Sequence, residues 1–342
     1  LLKARTGRPF STEIVEHYES TPPSTLARFA ALLDERRAAG NVRRCHGDLH
    51  LNNIFVQDGA PVLFDAIEFN DRFACIDVLY DISFLLMDLD RHGLRQHSNT
   101  VFNRYLELST EYSGIAAIPL FLSCRAAIRA HTAVATAEAI ADESRQRALL
   151  SDASALLDRA VDYLADRKPR LVAVGGVSGT GKSTLAYGLA PSLGGCPGAV
   201  VIRSDVVRKQ LMGVPDTVRL PETAYTPETT NHVYARVAEL ASATLASGFT
   251  AITDAVYGTD DEREAIAVVA RRAKVRFDGL WLEAPEAVLE QRIASRVGDA
   301  SDATADVLRF QLGRIAPPPN WRAISAAGSA LESLDQAHRA LG

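Results

Sequence analysis

One ten-residue run constrains this chain more than any other part of it. It reads Gly175-Gly176-Val177-Ser178-Gly179-Thr180-Gly181-Lys182-Ser183-Thr184 and follows directly on the apolar stretch 171–174. Gly176, Gly181, Lys182 and Ser183 satisfy the spacing G-x-x-x-x-G-K-[ST]. The setting is the one that spacing needs, a short β-branched strand before it and a helical pattern after it (Leu185, Ala186, Leu189, Ala190, Leu193). Glycines let the backbone curl until several N–H groups point at one phosphate, and the following helix adds its positive end. The expected nucleotide-binding set is Gly176, Ser178, Gly179, Thr180, Gly181, Lys182, Ser183 and Thr184. Lys182 would reach the β- and γ-phosphates of ATP, and the Ser183 hydroxyl is placed to ligate Mg²⁺. A glycine-rich strand-to-helix turn that binds nothing does not account for the complete motif in its required setting.

The bulk properties are permissive. At 342 residues the chain is long enough for two cores, and 47% hydrophobic with 23% charged residues is ordinary for a globular protein. A net charge of −5 gives no electrostatic reason to expect a nucleic acid or a membrane as partner. Cysteines 45, 75, 124 and 196 are scattered with no C-x-x-C pair, which reads as reduced thiols in a cytoplasmic protein. The apolar stretch 114–141 is interrupted by Arg125, Arg129, His131 and Glu138, so it reads as a core helix and not a membrane span. No signal peptide is visible, and a start at Leu-Leu-Lys in place of Met suggests a truncated or processed beginning. No heptad run speaks to oligomeric state.

A boundary is expected near 167–170, where a helix over 143–166 ends at Lys168-Pro169-Arg170. This gives domains 1–168 and 169–342. The first is mainly helical, with a small hairpin whose strands, 54–57 and 62–64, are joined through Asp58-Gly59. The second alternates strand and helix as a doubly wound parallel sheet does, with about five strands at 171–174, 199–203, 250–253, 277–282 and 322–325. Pro317-Pro318-Pro319 breaks the chain before the last.

Three further features accompany the phosphate loop. Arg203-Ser204-Asp205 ends the second strand, where an acceptor hydroxyl would be oriented or deprotonated by Asp205; Arg208, one turn on, would hold the acceptor or the moving phosphoryl group. A helix cap with an exposed arginine is the alternative. Asp254 closes the third strand and is a candidate for holding Mg²⁺ or the acceptor, or again a cap. Arg292 and Arg296, four apart on a helix starting near Pro285, precede the lid-like run Gly298-Asp299-Ala300-Ser301-Asp302 and would neutralise charge on the γ-phosphoryl group, unless they are ordinary surface arginines. With these elements, 169–342 resembles the small P-loop kinases of the gluconate-kinase-like and polynucleotide-kinase-like group. That resemblance implies an acceptor-binding or general-base role for Asp205 and leaves the acceptor unnamed.

The first half carries a second signature. His46-Gly47-Asp48-Leu49-His50-Leu51-Asn52-Asn53 fits H-x-D-x-x-x-x-N, which in kinases presents an Asp to the acceptor hydroxyl and an Asn to Mg²⁺. Asp65 follows the hairpin where a second metal carboxylate belongs, and Asp77 and Asp81, four apart on a helix, would brace the loop through backbone hydrogen bonds. Residues 25–140 resemble the aminoglycoside-phosphotransferase-like kinases. The resemblance implies Asp48 as catalytic residue, Asn53 and Asp65 as metal ligands, structural roles for His46 and His50, and a mainly α kinase C-lobe. Such kinases clamp ATP with an N-terminal β lobe, yet the 45 residues before His46 hold one lysine, Lys3, and no strand-flanked glycine motif. The expectation is therefore that this half, as given, transfers no phosphate. The pairing of the two halves resembles a family of bacterial two-domain predicted kinases.

The function expected is ATP- and Mg²⁺-dependent phosphoryl transfer to a hydroxyl of a small molecule at the second domain. Two alternatives stand beside it: a nucleotide-dependent regulatory module without turnover, and a polynucleotide 5′-hydroxyl kinase. The latter would want stacking aromatics and clustered lysines, whereas 203–235 offers only Tyr225 and Tyr234.

Overall fold

The structure, a computed structural model, describes residues 9–295 and 300–342. It divides into two compact units. The first holds the described residues up to Phe102 together with Ser113–Asp166; the second holds Asn103–Tyr112 together with Arg167–Gly342. The break at 166/167 falls beside the expected boundary. The ten residues that the second unit takes from upstream are a departure from a division at one point. Nothing in their local pattern announces it, because their partners lie about a hundred positions downstream.

In the first unit, α1 (Thr12–Ala38) starts at Ser11, whose hydroxyl accepts from the Ile14 N–H, and is followed by β1 (Val42–Arg44). The hairpin β2 (Ile54–Gln57) and β3 (Ala60–Leu63) turns at Asp58-Gly59. The short helix α2 (Asp71–Ala74) leads into β4 (Cys75–Asp77), which pairs antiparallel with β1, a pairing that the sequence did not announce. Then come α3 (Val78–Arg91), α4 (Arg95–Ser109), whose residues from Asn103 on belong to the second unit, α5 (Ile118–Ala139) and α6 (Glu143–Asp162). Helix α5 packs on α3 and α6 and buries most of its apolar residues, with Ile128 exposed. Asp90 ties α3 to α6, accepting from Arg159 Nη1 and the Tyr163 hydroxyl, each at 2.8 Å. Among the described residues no helix is long and apolar enough to cross a membrane.

The second unit runs β5 (Arg170–Gly175), α7 (Lys182–Leu189), β6 (Val200–Arg203), α8 (Ser204–Leu211), α9 (Pro227–Ala246), β7 (Ala251–Asp254), α10 (Asp260–Ala273), β8 (Arg276–Glu283), α11 (Glu286–Ala294), α12 (Ala305–Leu312), β9 (Arg322–Ser325) and α13 (Ala330–Leu341). Its five strands form one parallel sheet in the order β6-β7-β5-β8-β9. Helices α7 and α13 cover one face, and α9 and α10 cover the other. Val172, Val174, Val201, Ile252, Leu280, Leu282 and Ile324 point into the core shared with α7 and α13. That double cover is why these strands read as short, nearly continuous apolar runs. From central β5 the chain goes first to β6 and β7 on one side and later to β8 and β9 on the other. The carboxyl end of β5 is thus the point where strand order reverses, the place at which open α/β sheets bind ligands.

Candidate active site

The phosphate loop leaves β5 at that point. Gly176 has φ +140° and lies so near the Leu282 carbonyl that a Cβ would come within 2.7 Å of it. Gly181 caps α7 with φ +87°, a left-handed value that glycine adopts at no steric cost. The curl is held from within: Thr180 Oγ1 donates to the Val177 carbonyl at 2.8 Å, and Lys182 Nζ to the same oxygen at 3.1 Å. It is held from outside by α12, where Gln311 Oε1 accepts from the Ser178 N–H at 2.8 Å. The first-turn N–H groups of α7 face outward at the helix N-terminus, where a helix offers donors and partial positive charge to an anion.

A cleft of about 240 Å³ opens over this loop, lined by Ser178, Gly179, Gly181, Lys182, Ser183, Thr184, Asp205, Asp254, Arg292 and Ser301. Sheet register explains the meeting: Val174 pairs with Asp254, and Asp254 with Arg203, so three strand ends align at one edge. Ser183 Oγ donates to Asp254 Oδ2 at 2.6 Å. Arg203 Nε stands 3.6 Å from the same oxygen, with both side chains about nine-tenths buried. Asp205, the second residue of α8, projects into the cleft and receives the Ser301 hydroxyl. Its carboxyl is held above the ordinary carboxylate range, first by burial and next by the neighbouring Asp254 charge, with Lys182 opposing.

A divalent cation fits this donor set. Mg²⁺ is commonly held by one or two carboxylates, a hydroxyl and substrate phosphates, not by an all-protein cage. The Ser183–Asp254 pair would supply the protein share; among the described residues no cluster of three or more His, Cys, Asp or Glu forms a self-sufficient cage.

Arg292 lines the first cleft and also a second, of about 180 Å³, bounded by Thr184, Leu185, Leu282, Ala326, Ala330 and Ser333. Its Nη2 donates to the Gly328 carbonyl at 3.1 Å, which holds the guanidinium between the two. Arg296 lies outside the described residues. Arg208 departs from expectation. It is buried, bonds the Ala224 carbonyl at 2.8 Å and Thr230 Oγ1 at 3.4 Å, and lies over the Tyr225 ring. It is not among the residues lining the cleft; its Nη groups are held by that carbonyl and hydroxyl, while its buried Nε has no hydrogen-bond partner among the described residues.

Sequence reasoning missed Asp302, and Gly298 and Asp299 of the same run lie outside the described residues. Asp302 accepts from the Tyr225 hydroxyl at 2.7 Å and the Leu220 N–H at 3.0 Å, and pairs with the buried Lys209 at 3.3 Å, which places Ser301 over Asp205. It also gave Arg203 no role. Asp302 lay in a run legible only as mobile-looking, and its partners are some eighty residues away.

In the first unit, the loop from His46 to Asn53 is tightly cross-braced. Asn53 Nδ2 donates to the Asp48 carbonyl at 2.9 Å and to its Oδ2 at 3.3 Å. His50 caps the short turn that follows, accepting from the Asn52 N–H; its Nε2 lies 3.3 Å from Asp48, and burial lowers its pKa. His46 Nε2 bonds the Phe64 carbonyl at 2.9 Å. Asp65 is exposed with φ +60°, and its flanks bond the loop through Phe64 N to Asn53 O and Ile67 N to His46 O. Asp81 braces the loop, accepting from the His46 and Gly47 N–H groups at 3.1 and 2.8 Å. Asp77 does not. It caps α3 at Leu79 N and takes Arg36 in a two-pronged ion pair at 2.7 and 2.8 Å, a partner 41 positions upstream that spacing did not reveal.

Residues 13–118 match the model of the phosphotransferase enzyme family, and residues 171–318 match that of an AAA domain. The chain is thus similar to the phosphotransferase enzyme family in its first half and to an AAA domain in its second. Uncharacterized proteins of Mycobacterium tuberculosis and Mycobacterium bovis are 28% identical over 98% of this chain, which spans 67% of their length. Solved structures similar to part of this chain include a gluconokinase from Sinorhizobium meliloti 1021 (22% identity, TM-score 0.38, 51% of this chain and 91% of that one). Another is the Mycobacterium tuberculosis APS kinase CysC in complex with AMPPNP and APS (18%, 0.39, 51% and 98%).

Proposed function

We propose that the second unit transfers the γ-phosphoryl group of ATP to a hydroxyl of a small molecule. The observation that carries this reading is the convergence of Lys182, Ser183, Asp254 and Asp205 on one cleft at the reversal point of the sheet. In this reading Lys182 and the first turn of α7 would hold the phosphates, and Ser183 with Asp254 would hold Mg²⁺, which when bound would neutralise charge developing on the transferred group. The base and ribose sit in the smaller, more apolar cleft beyond Arg292, whose guanidinium then lies beside the phosphates. Asp205 receives the acceptor hydroxyl. Its raised carboxyl pKa makes it the stronger base once ionised and brings it nearer working pH. The aromatic side chains near it argue against a nucleic-acid groove. Tyr225 has Arg208 on its face and its hydroxyl on Asp302, and Tyr234 is packed edge-on against Tyr257, so neither offers a stacking platform.

The test is acceptor-dependent ADP release from ATP·Mg²⁺ across fractionated metabolites. Wild type should turn over with one fraction. Lys182→Ala should lose both turnover and most ATP affinity, while Asp205→Asn should still bind ATP and lose turnover by about a hundredfold or more, as for removal of a general base. Binding with no stimulating fraction would favour the regulatory reading. Turnover that survives Lys182→Ala and vanishes in Asp48→Ala would move the chemistry to the first unit.

A further inference from the structure

The end of α4 supplies side chains to the second unit that no motif predicts. Asn103, 1% exposed, donates from Nδ2 to the Ala199 carbonyl at 3.1 Å and accepts at Oδ1 from the Val201 N–H at 2.7 Å. One turn later lies Glu107, whose side chain is 7% exposed. Its main-chain carbonyl accepts from Gln210 Nε2 on α8 at 2.7 Å, and its carboxylate takes Arg104 Nη1 at 3.1 Å and the hydroxyl of Tyr187. A carboxylate this buried is costly unless its oxygens are satisfied, so Tyr187 is a required partner.

Tyr187 does not end the path. Its phenol is kept protonated by burial and by the Glu107 charge, so it donates to Glu107 while its oxygen accepts from Arg203. The Arg203 guanidinium lies 5.9 Å from the Tyr187 ring centre and stands at 3.6 Å from Asp254, which takes the Ser183 hydroxyl. Ser183 and Tyr187 are four apart on α7, so the path leaves that helix at one turn and returns at the previous one. Carboxylates that face a metal need outer partners to fix their orientation, and loss of such partners weakens metal binding.

We propose that Glu107 is a positioning residue of the phosphoryl-transfer site, acting through Tyr187 and Arg203 to fix the Asp254 carboxylate beside Ser183. The inference rests on the nucleotide-site reading above. Its signature is a change in how nucleotide affinity depends on Mg²⁺, with affinity in the absence of the metal preserved.

The experiment titrates the full chain with a fluorescent ATP analogue across Mg²⁺ concentrations and in EDTA. Glu107→Ala should raise the Mg²⁺ needed for half-maximal tightening by about tenfold, the scale of outer-partner losses at metal sites. Affinity in EDTA should stay unchanged. Tyr187→Phe, which keeps the ring, should reproduce the effect, and the double variant should add little to the larger single one. Glu107→Gln, which retains an acceptor for the phenol, should restore most of the Mg²⁺ response. Unaltered Mg²⁺ dependence in both Glu107→Ala and Tyr187→Phe would overturn the inference and leave the nucleotide site standing. Equal weakening in EDTA and in Mg²⁺ would assign Glu107 a merely structural role and overturn it as well. Wild type that binds no nucleotide would overturn the site reading itself, and this inference with it.

Discussion

Asp81 holds the His46–Gly47 turn by accepting both N–H groups, with Arg125 Nη2 at 4.0 Å and that guanidinium stacked over Tyr80 and Phe84. Its removal strands two N–H groups and a buried cation at once. Asp81→Ala should therefore lower the stability of the first unit by about 3 kcal/mol, read as a shift in its denaturant midpoint. Cys45, immediately before this turn, titrates under the same influence. Burial, and then the Asp81 and Asp77 carboxylates, disfavour its thiolate and push its pKa up to about 11. Below that pH the sulfur stays a thiol, and only the thiolate reacts. Iodoacetamide at pH 8 should therefore leave Cys45 unmodified while labelling exposed Cys75, and the rate at Cys45 should climb with pH toward a midpoint near 11.

Strand β6 is the outer strand of its sheet, and Asn103 occupies part of its open edge with a side-chain amide, which, like a peptide group, here gives one N–H bond and accepts one. Asn103→Ala would leave the Ala199 carbonyl and the Val201 N–H, both fully buried, without those bonds. We expect a loss of about 2 kcal/mol or more, with faster hydrogen exchange at the Val201 amide than at Val172 in the sheet centre. The same elements show what sequence reading reaches. The five strands were legible to within two residues because each is a short apolar run bounded by glycine, proline or charge; 322–325 matched Arg322–Ser325 residue for residue. The phosphate loop was legible because its chemistry is local. Pairing of β1 with β4 was not, since three exposed residues carry no alternation, and neither were the true partners of Arg208 or Asp77. Those choices are made by groups brought near only after folding, and a linear pattern carries no trace of them.

At the scale of the molecule, the second unit is discontinuous in sequence, assembled from Asn103–Tyr112 and Arg167–Gly342. A fragment containing only residues 167–342 would expose the β6 edge and lose the acceptor for Tyr187. We expect that fragment to melt several degrees lower than the second unit does in the full chain and to self-associate through the open edge. Addition of a peptide spanning residues 95–112 should recover part of the loss, and a fragment that melts as the full chain does would count against this account. The arrangement also bears on how such a protein is made and inherited. During synthesis residues 103–112 emerge before any strand of the sheet whose edge they cover, so they must remain available until residues 167–342 have been made. A gene break at the 166/167 boundary would likewise carry away a sheet whose β6 edge is uncovered. The two halves, though they match separate families, are therefore not interchangeable cassettes, and any exchange that preserves the site must carry the ten upstream residues along with it.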